Sequence, residues 1–412
     1  MLRFWFGIPL WQRVILALVL GVAAGFSMGE SAQSIRWIGD LFIRAIKMLI
    51  VPLIFFSLVS GIAALGDLKK LGDVGGKAVG LFLLTALASI SLGLAMGTVF
   101  EPGIGLNITL PEDAQLIQPP DLTWTQRLLD MVPENPIMTM AEGQILPLIL
   151  FAILFGVSLL MAGEEGAPIT RAVDAGAAVM QKMTMIVMEL TPLGVFALMA
   201  WVAGTFGFEA LWPLATMVAL NYAGCFIIIL VVYPLILRTV AKLPVIDFYR
   251  GIFDAQAVAF STASSNAALP VTLRCVQRNL GVSRSVSSFV VALGATINMN
   301  GTAMYLGLVA MFGAQLYGIE LSITSYLLIA LTATLGSVGA AGIPGSGLIM
   351  MSLVLTAIGV PLETIAFVAG INHIMDMMRT MTNVTGDATV AVAVGRMAGE
   401  IDVEEYISAD DV

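Results

Sequence analysis

The sequence predicts an all-α polytopic membrane protein, and three observations carry that prediction. Of 412 residues, 58% are hydrophobic and only 11% charged, where an ordinary soluble domain carries roughly 25% charged residues. Apolar segments long enough to cross a bilayer, about 20 residues each, recur from one end of the chain to the other. Where polar side chains interrupt them late in the chain, they fall in register. Asn372, Asp376, Arg379, Thr380, Asn383 and Asp387 are spaced 4, 3, 1, 3 and 4 residues apart, which sets all six on one face of a helix. A charge near the bilayer centre costs about 2.5–3.5 kcal/mol on insertion scales, so a helix carrying three turns them toward protein or water. Such a face reads either as a binding site for a charged solute and its ions, or as an Asp–Arg pair that glues helices together.

Taken in order, single spans are predicted at about 11–29, 37–65, 78–99, 143–162, 174–203 and 211–237. The first follows Arg3 and Arg13 and lacks a convincing cleavage site, so it is expected to be a retained span and not a signal peptide. Segments 245–278 and 324–358 are less apolar and are broken in the middle by Ser-Ser-Asn-Ala-Ala-Leu-Pro and Gly-Ile-Pro-Gly-Ser-Gly. Two half-helices meeting at a tip fit these segments better than a continuous helix, so each is predicted to be a re-entrant hairpin. A long apolar helix follows each, at about 284–314 and 362–396. The sum is eight transmembrane helices plus two re-entrant helical hairpins. The repeated hairpin–helix pattern is a sequence pointer to a transporter site.

Charge supplies the orientation. Lys69, Lys70 and Lys77 lie between spans two and three, Arg171 and Lys182 between four and five, and Arg238, Lys242 and Arg250 after span six. The opposite loops, 101–125, 204–213 and 315–323, contain no Lys or Arg. The positive-inside rule then makes the N-terminus cytoplasmic, with the first hairpin entering from the cytoplasm and the second from outside. The net charge of −9 comes from acids in loops and in the tail from Glu400 to Val412, and it points to no nucleic-acid partner. Cys225 and Cys275 suggest neither a disulfide framework nor a metal site. The lone histidine, His373, lies off the polar face, where packing or a lipid-edge position is expected. No Ser–His, His–Glu or metal-ligand cluster falls at membrane depth, which argues against a hydrolase.

The residues that carry chemistry cluster at the breaks. Helix ends at the two tips aim unpaired N–H groups at the midplane, a natural seat for carboxylates. Ser264, Ser265 and Asn266 add side-chain donors at the first tip, while Gly342, Gly345 and Gly347 let backbone approach a ligand at the second. Asn298-Met299-Asn300-Gly301-Thr302 interrupts an apolar run and invites local unwinding, which frees carbonyl oxygens for a hard cation. Asp387 is the obvious carboxylate for that cation. Arg379 offers a planar fork for a carboxylate, and Asp376, one turn away, suits an ammonium group. A ligand bearing both would be matched at both ends; alternatively the two residues pair only with each other.

At these residues the chain resembles the dicarboxylate/amino acid:cation symporter family, the glutamate transporter family, and is most similar to prokaryotic sodium-coupled aspartate/glutamate transporters. The motifs run along nearly the whole chain: Val-Pro-Glu-Asn-Pro (132–136), Pro-Leu-Gly-Val-Phe-Ala-Leu (192–198), Gly-Ala-Thr-Ile-Asn-Met-Asn-Gly-Thr (294–302), Ala-Gly-Ile-Pro-Gly-Ser-Gly (341–347) and Asp376 through Asp387. The resemblance implies an elevator fold with inverted repeats, assembled as a homotrimer in the cell membrane. Scaffold segments would be 1–75 and 126–208, transport-domain segments 76–100 and 209–400, and 401–412 an acidic tail. It implies that Arg379 holds the substrate's side-chain carboxylate with Thr302, and that Asp376 takes its amine. Asn383, Ser265 and the second tip near Ile343 and Gly347 would hold the α-carboxylate, with Ser264 and Thr380 completing the site. One sodium ion would sit at Asp387 with Gly294, Asn298 and Asn383, and another among Thr296, Ser337 and Val338.

Departures from the family pattern bear on coupling. A third ion site in sodium-coupled relatives uses hydroxyls and a carboxylate where this chain has Phe82, Thr85, Ala86 and Asn300. A buried cation without a counter-charge is costly, so that site is expected to be lost. An acid of the last helix is replaced by Asn372, and an additional family arginine is absent at both Ala263 and Met377. Asp387, an Asn in proton-coupled relatives, is kept. The expectation is a symporter, not an enzyme, that imports L-aspartate or L-glutamate with two sodium ions as co-transported cofactors. A C4-dicarboxylate or proton-coupled carrier of the same fold is the alternative, and an anion channel the alternative from another class.

Overall fold

A computed structural model of the chain describes residues 8–64, 73–104, 126, 129–339, 342 and 345–408. The long elements among them are helical, and the one β-type contact is an isolated antiparallel bridge between Val282 and Ile401. Helices α1 (Leu10–Met28) and α2 (Arg36–Ala64) are joined by a 3-10 turn, and α3 spans Asp73–Phe100. A short α4 (Pro136–Glu142), capped by Asn135, leads into α5 (Ile145–Ala162).

The single span expected over 174–203 is two helices, α6 (Ala167–Met188) and α7 (Thr191–Phe206), bent by 49°. Pro192 explains the break, because its ring removes one N–H and crowds the carbonyl of the preceding turn. Arg13 of α1 reaches this bend and pairs with Glu189 at 2.7 Å. Helix α8 (Leu211–Ala241) runs through two π turns, Ile228–Val232 and Leu237–Ala241. Pro234 lies between them and has no N–H to give the preceding turn, so the ladder shifts spacing locally.

Both interrupted segments are pairs of helices packed on each other. Helix α9 (Val245–Thr262) turns at Ala263 into α10 (Ser265–Arg274), and α13 (Ile323–Gly339) pairs with α14 (Ser346–Ala357). Between them, α11 (Arg284–Ile297) and α12 (Asn300–Leu316) are separated by non-helical Asn298 and Met299, at φ/ψ −90°/79° and −107°/54°. The predicted unwinding at Asn-Met-Asn-Gly-Thr is therefore present. Among the described residues, four helical stretches are long and apolar enough to cross a membrane, and the bent α6–α7 pair makes a fifth.

Helix α15 (Thr364–Ala398) is the axis of the fold, with nearly every residue from Thr364 to Gly395 buried. The largest apolar cluster joins α2, α5, α7, α12 and α14 to α15 and ends there at Met375. The second joins α3, α8, α9 and α11 to α15 from Ala388 onward. The polar stripe lies between these clusters, held by apolar packing above and below. His373 is only 4% exposed, which corrects the lipid-edge alternative: α15 is enclosed by neighbours on all sides, so its off-stripe face is also interior. After α15 the chain folds back. Ser283 N–H donates to Glu400 O at 3.0 Å and Asp402 N–H to Gly281 O at 2.8 Å. The short α16 (Val403–Ile407) then buries Tyr406, whose hydroxyl donates to Pro244 O at 2.8 Å. Arg250 also donates to the Ser408 carbonyl. This tail segment therefore clips both ends of the α9–α10 hairpin.

Candidate functional site

All six stripe residues are buried, none more than 4% exposed. Arg379 is fully enclosed. Its Nη2 donates to Asp376 Oδ1 and to Asn372 Oδ1, each at 2.9 Å. The Tyr305 ring lies 3.8 Å from the guanidinium carbon, and the Tyr305 hydroxyl donates to Asn372 Oδ1 at 3.2 Å. Nε and Nη1 find no hydrogen-bond partner among the described residues. The guanidinium thus has the Nη2 corner tied, one face covered by a ring, and the N–H groups of Nε and Nη1 uncommitted. Nη1 faces α14: a Cβ at Gly347 would fall 2.7 Å from Nη1 and 2.9 Å from the tied Nη2. Gly301 packs on the Arg379 backbone and brings the first turn of α12, with buried Thr302, onto α15 at this level.

The two tips meet over this point. Ser264 caps α10 by accepting from Ala267 N–H at 3.2 Å, and its Oγ donates to Gly342 O at 2.8 Å. Asn266 N–H donates to the same oxygen at 3.0 Å. On the second tip, Gly345 adopts φ 81°, a left-handed conformation that favours glycine. Its N–H donates to Asp376 Oδ2 at 2.8 Å. Asp376 therefore bridges Arg379 and the second tip. Ser265 is buried beside the seam. Thr380 is buried one residue past Arg379. Ile343 lies outside the described residues.

One to two turns further along α15, Gly294, Asn298, Asn383 and Asp387 come together. Asn298 Nδ2 donates to Asp387 Oδ1 at 2.8 Å and to Asn383 O at 3.2 Å. A Cβ at Gly294 would fall 2.4 Å from Asp387 Oδ1. Asn383 Oδ1 accepts from Gly301 N–H at 2.8 Å, and Asn298 Oδ1 is buried without a partner. A buried carboxylate, freed backbone and an unused amide oxygen form the all-oxygen donor set that a hard cation prefers. The second candidate set lies where α11 packs on α13. Thr296 and Ser337 each return their hydroxyls to their own helices, at 2.9 Å and 2.8 Å. Val338 is helical, and its side chain lies outside the described part.

In the third set the hydroxyl and amide donors are turned to other partners, while Asn300 Oδ1 is buried without one among the described residues. Thr85 Oγ1 donates into its own helix at Leu81 O and Phe82 O, both 3.0 Å. Asn300 Nδ2 donates to the Tyr233 hydroxyl at 3.0 Å, and that hydroxyl donates to Thr382 O at 2.9 Å. Phe82 and Ala86 are buried and bring no oxygen. Tyr233 and Tyr305 are participants that sequence reasoning missed. The available signal was spacing: Tyr305 stands three residues after Thr302, one turn along the same helix.

The profile of the sodium:dicarboxylate symporter family matches residues 10–397. The proton/sodium-glutamate symport protein of Geobacillus stearothermophilus is 35% identical over 408 residues, covering 96% of each chain. The proton/glutamate-aspartate symporter of Escherichia coli (strain K12) is 35% identical over 416 residues, 97% of this chain and 94% of that one. The C4-dicarboxylate transport protein of Bordetella avium (strain 197N) is 34% identical over 403 residues, 95% of this chain and 89% of its own. With a full-length profile match and full-length relatives that share a third of its residues, the chain belongs to the sodium:dicarboxylate symporter family, a family of membrane carriers and not of enzymes.

Proposed function

We propose that the protein is a secondary active symporter of the cell membrane that imports an acidic amino acid, L-aspartate or L-glutamate, with two sodium ions. The observation that carries this reading is Arg379. It is a fully buried cation whose uncommitted Nη1 faces the tip of α14, with Asp376 beside it to receive an amine. In an empty site the two side chains neutralise each other. A zwitterionic substrate with a second carboxylate would replace each half of that pair with one of its own groups. Asp387 and the unwound Asn298 supply one sodium site, and the α11–α13 seam the second. Neutral Asn300, tied to Tyr233, speaks against a third. Two sodium ions with a substrate of charge −1 carry net +1, worth about 2.3 kcal/mol per 100 mV of membrane potential.

In this reading the chain has eight spans and two re-entrant hairpins, α9–α10 and α13–α14. The N-terminus is cytoplasmic, and the carrier is a homotrimer working as an elevator. Segments 1–75 and 126–208 form its scaffold; 76–100 and 209–400 move. The experiment is radiolabelled L-aspartate uptake into proteoliposomes, with sodium varied and a proton gradient imposed separately. Sodium-dependent uptake with a Hill coefficient approaching two supports the reading. Uptake indifferent to sodium and driven by inside-alkaline pH makes Asp387 a proton site and overturns the coupling. One observation favours a C4-dicarboxylate as substrate: Asp376 is already engaged by both Arg379 and Gly345. Succinate competing as well as aspartate would establish that alternative.

A further inference from the structure

The polar network behind Arg379 holds an uncharged acceptor where the guanidinium is most tightly tied. Nη2 gives hydrogen bonds to Asn372 Oδ1 and Asp376 Oδ1, so its corner is pinned from two sides. Asn372 Oδ1 receives a second donor, the Tyr305 hydroxyl. Two converging donors fix which end of the amide faces Arg379, because its NH2 end cannot accept. Tyr305 serves twice: its ring covers one guanidinium face and its hydroxyl anchors the acceptor that sets the rotation within that plane. That leaves Nε and Nη1 without partners, and Nη1 is the unpartnered nitrogen that faces Gly347.

The charge count around this arrangement is small. Among the described residues the buried charged side chains are Arg13, Asp376, Arg379 and Asp387. Arg13 pairs with Glu189 in another part of the fold, and Asp387 stands eight positions along the helix from Arg379, roughly 12 Å at 1.5 Å per residue. Asp376 is therefore the single carboxylate tied to Arg379. When a substrate amine draws Asp376 away, the guanidinium keeps no protein counter-ion in contact, and the substrate carboxylate becomes that counter-ion. An acid at position 372 would weaken this, because a permanent anion 2.9 Å from Nη2 would compete for the same charge.

We propose that Asn372, anchored by Tyr305, is a positioning and specificity residue: it sets the rotation of Arg379 and, being uncharged, leaves the full guanidinium charge to the substrate carboxylate. This inference rests on the acidic-substrate reading above. Two variants separate its parts. Asn372→Asp keeps size and acceptor and adds a charge, while Asn372→Leu keeps the charge count and removes the acceptor.

The test is equilibrium binding of L-aspartate to the purified, full-length protein across a sodium series, with exchange rate measured in proteoliposomes. For Asn372→Asp, the aspartate Kd rises at least about tenfold at low sodium, as an added anion in contact requires. The loss shrinks as sodium rises, and the sodium dependence steepens because another cation is needed. For Asn372→Leu, Kd rises roughly tenfold, the scale of one hydrogen bond to a charged group. Its sodium slope is unchanged and its maximal exchange rate stays within about twofold. Tyr305→Phe keeps the ring and shows a smaller loss of the same kind. A merely structural role would lower thermal stability without steepening the sodium curve in the Asp variant alone. Wild-type Kd and sodium slope in Asn372→Asp overturn the inference while the substrate reading stands. A wild-type protein that binds no acidic substrate overturns both.

Discussion

Replacing Gly347 with alanine tests how closely the second tip approaches the substrate-facing edge of Arg379. The new Cβ would lie 2.7 Å from Nη1, 2.9 Å from Nη2 and 3.0 Å from Cζ. A guanidinium at the end of a free side chain would simply swing aside, but this one is boxed. Tyr305 covers a face at 3.8 Å, and Asn372 and Asp376 hold the Nη2 corner at 2.9 Å. Relief therefore means breaking the buried pair or lifting α14 away. Overpacking of this kind costs about 1–3 kcal/mol, which is roughly five- to 150-fold in an equilibrium constant. The added methyl also occupies the approach of an incoming carboxylate, so the loss falls on substrate affinity. Calorimetric titration of L-aspartate into Gly347→Ala should show Kd raised within that range, together with a lower thermal midpoint for the substrate-free protein. Unchanged aspartate affinity would refute the placement of the substrate carboxylate between Gly347 and Arg379.

Other outcomes follow from the same geometry. Asp376→Asn should weaken aspartate binding at least about tenfold, as expected for losing a charge-assisted hydrogen bond, while succinate binding holds or improves; competition assays with both ligands check this. Asp387→Asn should raise the sodium concentration for half-maximal uptake at least about tenfold by removing the one carboxylate of that site, read from uptake over a sodium series. The triple change Phe82→Tyr, Ala86→Ser and Asn300→Asp should lift the sodium Hill coefficient above two. Asn300→Asp alone should instead lower stability by about 1–3 kcal/mol or more through an unpaired buried charge. Tyr406→Phe should cost about 1 kcal/mol of stability by deleting the bond to Pro244 O, seen in thermal unfolding, with substrate affinity unchanged.

How much of this was legible in the sequence depended on whether a residue stood out against its surroundings. The stripe from Asn372 to Asp387 was readable because charged groups are expensive inside an apolar helix, and their 3–4 spacing survives in the fold without a break. The unwinding at Asn298 and Met299 was readable for a related reason: two amides and a glycine weaken a helix locally. Tyr233 is not readable, and Tyr305 only through its spacing of one turn from Thr302. An aromatic ring in an apolar run looks like core packing, and only the neighbours it meets in three dimensions reveal the work of its hydroxyl. The bend at Glu189 was missed although Pro192 signalled it, because apolar composition on both sides disguised two helices as one. For His373 the packing half of the expectation holds and the lipid-edge half does not, because α15 is enclosed at that level.

The contact between the two tips has a consequence for how that seam tolerates change. Ser264 Oγ and Asn266 N–H converge on one acceptor, the main-chain oxygen of Gly342. Side-chain replacement on the second tip cannot delete that acceptor, whereas a single replacement at Ser264 removes one of its two donors. The seal is therefore robust to mutation on one hairpin and fragile on the other. Sequence drift in a lineage, or a library built to vary the second tip, can reshape that tip's side chains while its bond to the first stays written in the backbone.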